Sequence, residues 1–318
     1  MHEFELINNY FRKLAKSKYS LNLSDDVFFD KSNRLVLSTD TYVAGKHFID
    51  FKKPDFVIKK IIRASISDLL CKGVKPKYYF ISASGNKQTF NKKNLKKISK
   101  SLNEEQRKYK IILGGGDTVF SNKLSFTITS IGFAKEIIFR NKAKVNDDIY
   151  VSGNIGDSYS GLLVLRNKLK ISNIQKKYFI NKYYKPDLNV KLSNKLISLA
   201  SSSIDISDGL FTDLEKLLIN IKLPYKIYLT EIPISKILSK ILNKKKLKKL
   251  NFVSNGDDYQ ILFTAPKINR LKIKKLSKNN GIRITRIGKI LNTKQRSVIL
   301  DDNLKPITLK NKGYFHRF

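Results

Sequence analysis

A layered α/β (α+β) protein of two domains is the fold that this sequence predicts, and three observations predict it. Helical and strand periodicities alternate along the whole chain, with no long structureless linker and no repeat of solenoid period. Hydrophobic residues make up 41 % of the 318 residues and aromatics 11 %, far too much for a disordered chain and enough to bury a core. A polar turn at Lys144-Val145-Asn146-Asp147-Asp148 divides the chain into halves of ordinary domain size. The boundary is therefore expected between domains 1–145 and 146–318.

The elements follow in order. Residues 34–39 (RLVLST) read as a strand ending at Asp40. From Pro54, a good first-turn residue, Val57, Ile58, Ile61, Ile62, Ile66 and Leu69 recur at helical spacing until Gly73 and Pro76 stop the helix. Residues 77–82 read as a strand, 90–108 as a lysine-rich helix, and 110–113 as a short strand running into Gly114-Gly115-Gly116-Asp117. Residues 123–134 alternate as a half-buried strand does. Beyond the polar turn, which reads as solvated at Asp147 and Asp148, IYVSG forms a strand and a glycine-punctuated loop leads into a helix over 156–167. Helices are expected over 172–183, 187–200, 209–221, 234–250 and 267–279, and strands near 203–206, 225–229, 260–264, 283–288 and 297–300.

Charge and composition bound the function. There are 63 Lys and Arg against 26 Asp and Glu, a formal charge of +37. Such a balance suggests nucleic acid or an anionic membrane. The positive residues are mostly lysines, however, and runs such as Lys92–Lys97 and Lys244–Lys249 interleave leucine at helical spacing, as solvated faces of amphipathic helices do. Neither nucleic acid nor membrane is the expected partner. The lone Cys71 excludes an intramolecular disulfide and reads as a buried hydrophobe, no apolar run is long enough to span a bilayer, and the N-terminal residues lack a signal-peptide pattern. A cytoplasmic soluble protein is the expectation.

The scarce acids are more informative. Asp25-Asp26, Asp40, Asp68, Asp117, Asp205, Asp208 and Asp257-Asp258 mostly sit in or at the end of small or apolar segments such as LVLSTD, IILGGGD and SIDISDG. Singly each reads as a turn or cap, and Asp208 just ahead of a helix is an evident cap candidate. Together they suit hard divalent cations, which prefer oxygen ligands and serve phosphoryl transfer by offsetting the repulsion between polyanions. His2, His47 and His316 show no zinc spacing, and the chain has no G-x-S-x-G elbow, Walker A loop or protein-kinase set. The loop Gly153–Asp157 entering a helix suits either phosphate binding or capping.

Seven segments in order carry a resemblance: STDTYVAGKHF (38–48), SISDLLCKGVKP (65–76), LGGGDT (113–118), VSGNIGDSYSGL (151–162), SIDISDGLFTDL (203–214), NGDDYQILFT (255–264) and the ending KGYFHRF (312–318). The chain resembles the thiamine-monophosphate kinases over its entire length. The resemblance implies a two-domain fold of the aminoimidazole-ribonucleotide-synthetase type, with an N-terminal domain that dimerises and ATP bound in a cleft beside a metal cluster. It implies ATP-dependent phosphorylation of thiamine monophosphate to thiamine diphosphate. Asp26, Ser38, Thr39, Asp40, Asp68, Asp117, Asp205 and Asp208 fall on Mg²⁺-binding positions, with Asp40, Asp117 and Asp208 as the catalytic set. Gly116, Asp117, Arg140 and Ser207 fall on ATP-contacting positions, and His47, Asp257 and Tyr314 on the substrate side. An acceptor phosphate, already mostly dianionic at neutral pH with its second pKa of about 6, needs no general base. Replacing Asp40 or Asp117 by Asn is expected to abolish turnover.

The sequence also departs from the family pattern. Leu23 and Ser24 stand for glycines before the Asp pair, Ser65 for an Asn, Asp257 for a Glu, Thr118–Ser121 lacks an Arg, and Asn311 replaces an aromatic residue. A selenophosphate synthetase would need a reactive N-terminal Cys, and the hydrogenase-maturation dehydratase a C-terminal one; neither is present. A nucleic-acid-binding basic protein and an inactive homologue of the kinase remain the alternatives.

Overall fold

The computed structural model describes residues 3–309, 313 and 314, so His2, Asn311, His316 and most of the terminal motif lie outside the described residues. The first half forms a five-stranded sheet from β1 (Phe28–Asp30), β2 (Leu35–Val43), β3 (Pro76–Gly85), β4 (Ile112–Phe120) and β5 (Ser125–Phe133), in the order β1-β2-β5-β3-β4. The second half forms a seven-stranded sheet from β6 (Asp148–Ser152), β7 (Ser202–Asp205), β8 (Tyr225–Tyr228), β9 (Ile261–Ala265), β10 (Ile284–Ile290), β11 (Val298–Leu300) and β12 (Pro306–Ile307), in the order β12-β11-β8-β10-β6-β9-β7. The two sheets with their helices make the mixed α/β architecture that the alternating periodicities predict. Among the described strands only β3/β4 and β8/β11 pair in parallel.

The helices are α1 (Glu3–Leu6), α2 (Pro54–Cys71), α3 (Lys92–Tyr109), α4 (Asp157–Leu165), α5 (Asn173–Tyr184), α6 (Val190–Ser193), α7 (Leu210–Leu218), α8 (Lys236–Lys245), α9 (Leu250–Val253) and α10 (Arg270–Asn280). Helix α2 starts at Pro54, whose missing N–H costs nothing in the first turn, and ends before Gly73 at φ +84°. Val57, Ile58, Ile61, Ile62, Ile66 and Leu69 are fully buried, each stabilising by roughly 1.5–3 kcal/mol relative to exposure. Its apolar side joins a core with Tyr42, Phe126 and Ile128 of the first sheet and, from the other half, Tyr183, Tyr184 and Tyr259. Cys71 is buried in a second shared cluster with Tyr150, Ile261 and Phe263. The lysines of α3 lie on its outward side while Ser101, Glu105 and Tyr109 are buried, as an amphipathic helix requires. No helix among the described residues is long and apolar enough to cross a membrane.

Several sequence expectations are corrected. Asp40 and Asp117 do not end strands: β2 runs on to Val43 and β4 to Phe120, because β2 keeps its register on β5 and β4 on β3. The short strand expected over 110–113 continues through the three glycines, and Gly116 is needed there; a Cβ at that position would lie 1.8 Å from the Ile81 carbonyl oxygen. Residues 187–200 form only the single turn α6, and 234–250 divide into α8 and α9 around Lys246 at φ +51°. Asp147 and Asp148 are buried rather than solvated. Asp148 starts β6 and is gripped by Arg270 (Nε 2.5 Å, Nη2 2.7 Å) and Arg286 (3.3 Å), which satisfies a charge that burial alone would expel.

Candidate active site

One end of α2 brings the acids together. Asp68, in its last turn, faces Asp40 from the core-facing row of β2 and accepts a hydrogen bond from Ser38 Oγ at 2.5 Å. Asp205 ends β7 and accepts from Ser67 Oγ at 2.8 Å. Asp26 arrives from the loop before β1, and oxygens of Asp26, Asp68 and Asp205 lie within 4.8 Å of one another. Burial pushes Asp40 up to about 6, against the hydrogen bonds from Tyr42 and Asp68. Burial, then the charge of Asp213, pushes Asp205 up to about 7. Asp68 stands well above the usual carboxylate range, through burial and then the charges of Asp40 and Asp205. Carboxylates held this close without full compensation form an all-oxygen donor set for a hard divalent cation.

Cations rim the cluster. Lys72, fully buried, reaches Asp25 (2.7 Å), Asp26 (2.5 Å) and the Ser203 carbonyl (2.7 Å). Arg140 donates its backbone N–H to Asp25 and its guanidinium to Asp26 (Nε 3.0 Å). Asp208 pairs with Lys216, which also holds Asp213 at 2.9 Å. The cap expected of Asp208 belongs to Asp213 instead: its Oδ2 accepts from the N–H groups of Ser207, Asp208 and Gly209 at 2.9–3.0 Å. The 206–208 turn then binds the NGDDY loop through Asp257 N–H to Ser207 O and Tyr259 N–H to Ile206 O. Tyr314 N–H donates to Asp208 O, so this tyrosine stands at the edge of the same turn. At the other glycine loop, Asp258 accepts from the N–H groups of Gly156 and Ser158, so an internal carboxylate fills the start of α4.

Beside the acids stands a wall of rings. Tyr42 OH donates to Asp40, and Tyr42 meets His47 edge-on with centroids 5.8 Å apart. His47 Nδ1 accepts from Val43 N–H, and its carbonyl accepts from Tyr183 OH at 3.4 Å. Buried Lys60 lies over the Tyr183 ring at 3.9 Å and pairs with Asp257 at 2.6 Å. His47 and Asp257, distant in sequence, are thus linked through Tyr183 and Lys60.

Two candidates lie elsewhere. Thr39 bonds Thr129 Oγ1 on the outer face of the first sheet, and Asp117 occupies the row Asp117–Ser82–Thr127–Thr41, whose threonines bond to each other on that face. Asp40 and Gly116 share the alternate row, toward the core. The metal set read from the sequence therefore divides between the two faces of one sheet.

Comparison with known proteins bears on this geometry. Residues 24–134 match the family of AIR synthase related proteins, N-terminal domain. The chain is 36 % identical over 324 residues to thiamine-monophosphate kinase of Buchnera aphidicola subsp. Schizaphis graminum, covering 99 % of this chain and 98 % of that one. It is 31 % identical to the Escherichia coli K12 enzyme of that name over the same shares. The chain belongs to the thiamine-monophosphate kinase family. The solved structure of AaThiL complexed with AMPPCP and TMP superposes with a TM-score of 0.84 at 26 % identity, covering 99 % of this chain and 97 % of that one. Hydrogenase maturation protein HypE in complex with ATP, at 17 % identity and TM-score 0.66, shares the fold.

Within this kinase family the departures have local explanations. Leu21, Asn22 and Leu23 all hold φ near +50°, so the turn before Asp25 keeps a glycine-favouring backbone without glycine. Ser65 Oγ bonds Ser130 Oγ at 2.8 Å beneath the sheet. Lys60, Lys72, Lys216 and Asp213 escaped sequence reading. Lys60 had a signal: it lies four, seven and eleven residues before Ala64, Ser67 and Cys71, on the buried stripe of α2.

Proposed function

We propose that the chain transfers the γ-phosphoryl group of ATP to the phosphate of thiamine monophosphate, forming thiamine diphosphate. The observation that carries this reading is the set Asp26, Asp40, Asp68 and Asp205, partly buried to buried, at the junction of both halves, in a chain whose kin bear that activity in their name. The full-length similarity to a chain complexed with AMPPCP and TMP supports the same pair of substrates. Asp26, Asp40, Asp68 and Asp205, with Ser38 and Asp208 at the margin, would hold Mg²⁺. Bound there, Mg²⁺ supplies charge neutralisation between the two polyanions. The chain's own groups do the rest: Lys72 and Arg140 orient Asp26, and the wall of Tyr42, His47 and Asp257 receives the organic part of the acceptor. Ser207, Gly116 and Arg140 are the proposed nucleotide side. The acceptor phosphate attacks directly in line, its dianion needing no base. Thr39 and Asp117 enter this reading from the outer sheet face, with the domain division at 145/146.

A homodimer is part of the proposal. Phe80, Ile112, Val119, Phe120 and Phe133 of the first sheet are exposed, Phe120 to 75 %, on and beside the edge strand β4. Purified protein with Mg·ATP and thiamine monophosphate tests the activity, with free thiamine as control acceptor. Diphosphate formed from the monophosphate alone supports the reading; no diphosphate, or a phosphoenzyme on the pathway, defeats the proposed direct transfer.

A further inference from the structure

The proposed chemistry leaves one costly feature unused. Lys60 is 1 % exposed, and an ammonium withdrawn from water persists only where other groups replace the lost hydration. Its partners come from the other half of the chain: Asp257 Oδ1 at 2.6 Å, the Tyr183 carbonyl at 3.4 Å, the Tyr183 ring at 3.9 Å and the Tyr259 ring at 5.7 Å.

The other end of this contact is open. The Asp257 side chain is 28 % exposed, and both of its hydrogen bonds, from Lys60 and from Tyr259 OH at 3.1 Å, fall on Oδ1. Among the described residues no donor reaches Oδ2. The backbone holds the group from a third side, with Asp257 N–H bound to Ser207 O in the turn that carries Asp205 and Asp208. A carboxylate pinned at one oxygen and open at the other, beside the Tyr259 and Tyr183 rings that flank its lysine, suits a cationic heteroaromatic ligand.

We infer that Lys60 is a positioning residue for substrate recognition: it fixes the Asp257 carboxylate so that Oδ2 meets the positively charged thiamine head while the acceptor phosphate lies toward the aspartates. The inference rests on reading the chain as a thiamine-monophosphate kinase. It assigns Lys60 an effect on one substrate only, which a staple that merely joins α2 to the 256–259 loop would not have.

The test is steady-state kinetics of the full chain, with calorimetric titration of thiamine monophosphate, on the wild type, Lys60→Met, Asp257→Asn and the double variant. A lost charge-assisted contact predicts that KM for thiamine monophosphate rises about 10- to 100-fold in either single variant. KM for ATP stays within about twofold, and the double variant is no worse than either single. Should Lys60→Met fail to fold, Asp257→Asn alters a partly exposed group and carries the same comparison. An unchanged KM for thiamine monophosphate, a parallel rise for ATP, or losses that multiply in the double variant overturn the inference. A wild type that leaves thiamine monophosphate unphosphorylated defeats the functional reading instead.

Discussion

Asp68 is a carboxylate with little reason to be ionised: it is withdrawn from water, faces Asp40 and Asp205, and Lys72, whose charge favours its ionised form, is bonded to Asp25 and Asp26 instead. Replacing it with Asn removes repulsion and a donor atom at once. Asp68→Asn is therefore expected to raise the melting temperature of the metal-free protein while cutting turnover by at least about 100-fold, as losses of positioned electrostatic groups do. Asp40 and Asp205 extend this to pH. Their folded-state values, about 6 and about 7, lie above the ordinary 3.8, so the folded protein retains protons that the unfolded chain has released. Stability then falls as pH rises from about 4 to 7 and levels above that window. Melting curves without metal should show that fall, and millimolar Mg²⁺ should flatten it, because a cation that needs the deprotonated carboxylates offsets their repulsion.

Among the elements, the turn before α7 depends on one side chain. Asp213 gathers the three consecutive N–H groups of Ser207, Asp208 and Gly209 and pairs with Lys216. Asp213→Ala should lower stability by about 2 kcal/mol or more in urea denaturation, since buried amides would lose a charged acceptor. This residue also shows where sequence reading stops. SIDISDG marks the site by its composition, but composition assigns the cap to the acid at the helix start, and the backbone instead turns so that the acid one turn later reaches back. Helix α2 was legible almost to the residue from Pro54, its isoleucines and Gly73. The strand interiors around Asp40 and Asp117 were not, because their pairing with β5 and β3 is set across the sheet and overrides the local look of Thr-Asp-Thr and Gly-Gly-Gly. Asp148 was misjudged for the same reason: its partners Arg270 and Arg286 are more than a hundred residues away.

For the whole molecule, the charge of +37 gives less information than its few interior members. Lysines on α3 point outward, while Lys60 of α2 and Lys72 at its end are buried against acids brought in from elsewhere in the chain. The proposed dimer belongs to this scale. Phe120→Asp places a charge in the exposed apolar face beside β4, and light scattering should then report half the wild-type mass with the circular dichroism unchanged. An unaltered mass would remove this face from the proposal.

Helix α2 has a further consequence, in the exchange of its amide hydrogens. It carries Lys60, Ser67 and Asp68, and Lys72 caps its end; these are bonded to Asp257, Asp205, Ser38 and Ser203 in turn, so no opening of one half leaves the helix behind intact. Its central amides should exchange with deuterium only when the whole chain opens, as one unit with β7, and more slowly than those of the solvent-flanked α3.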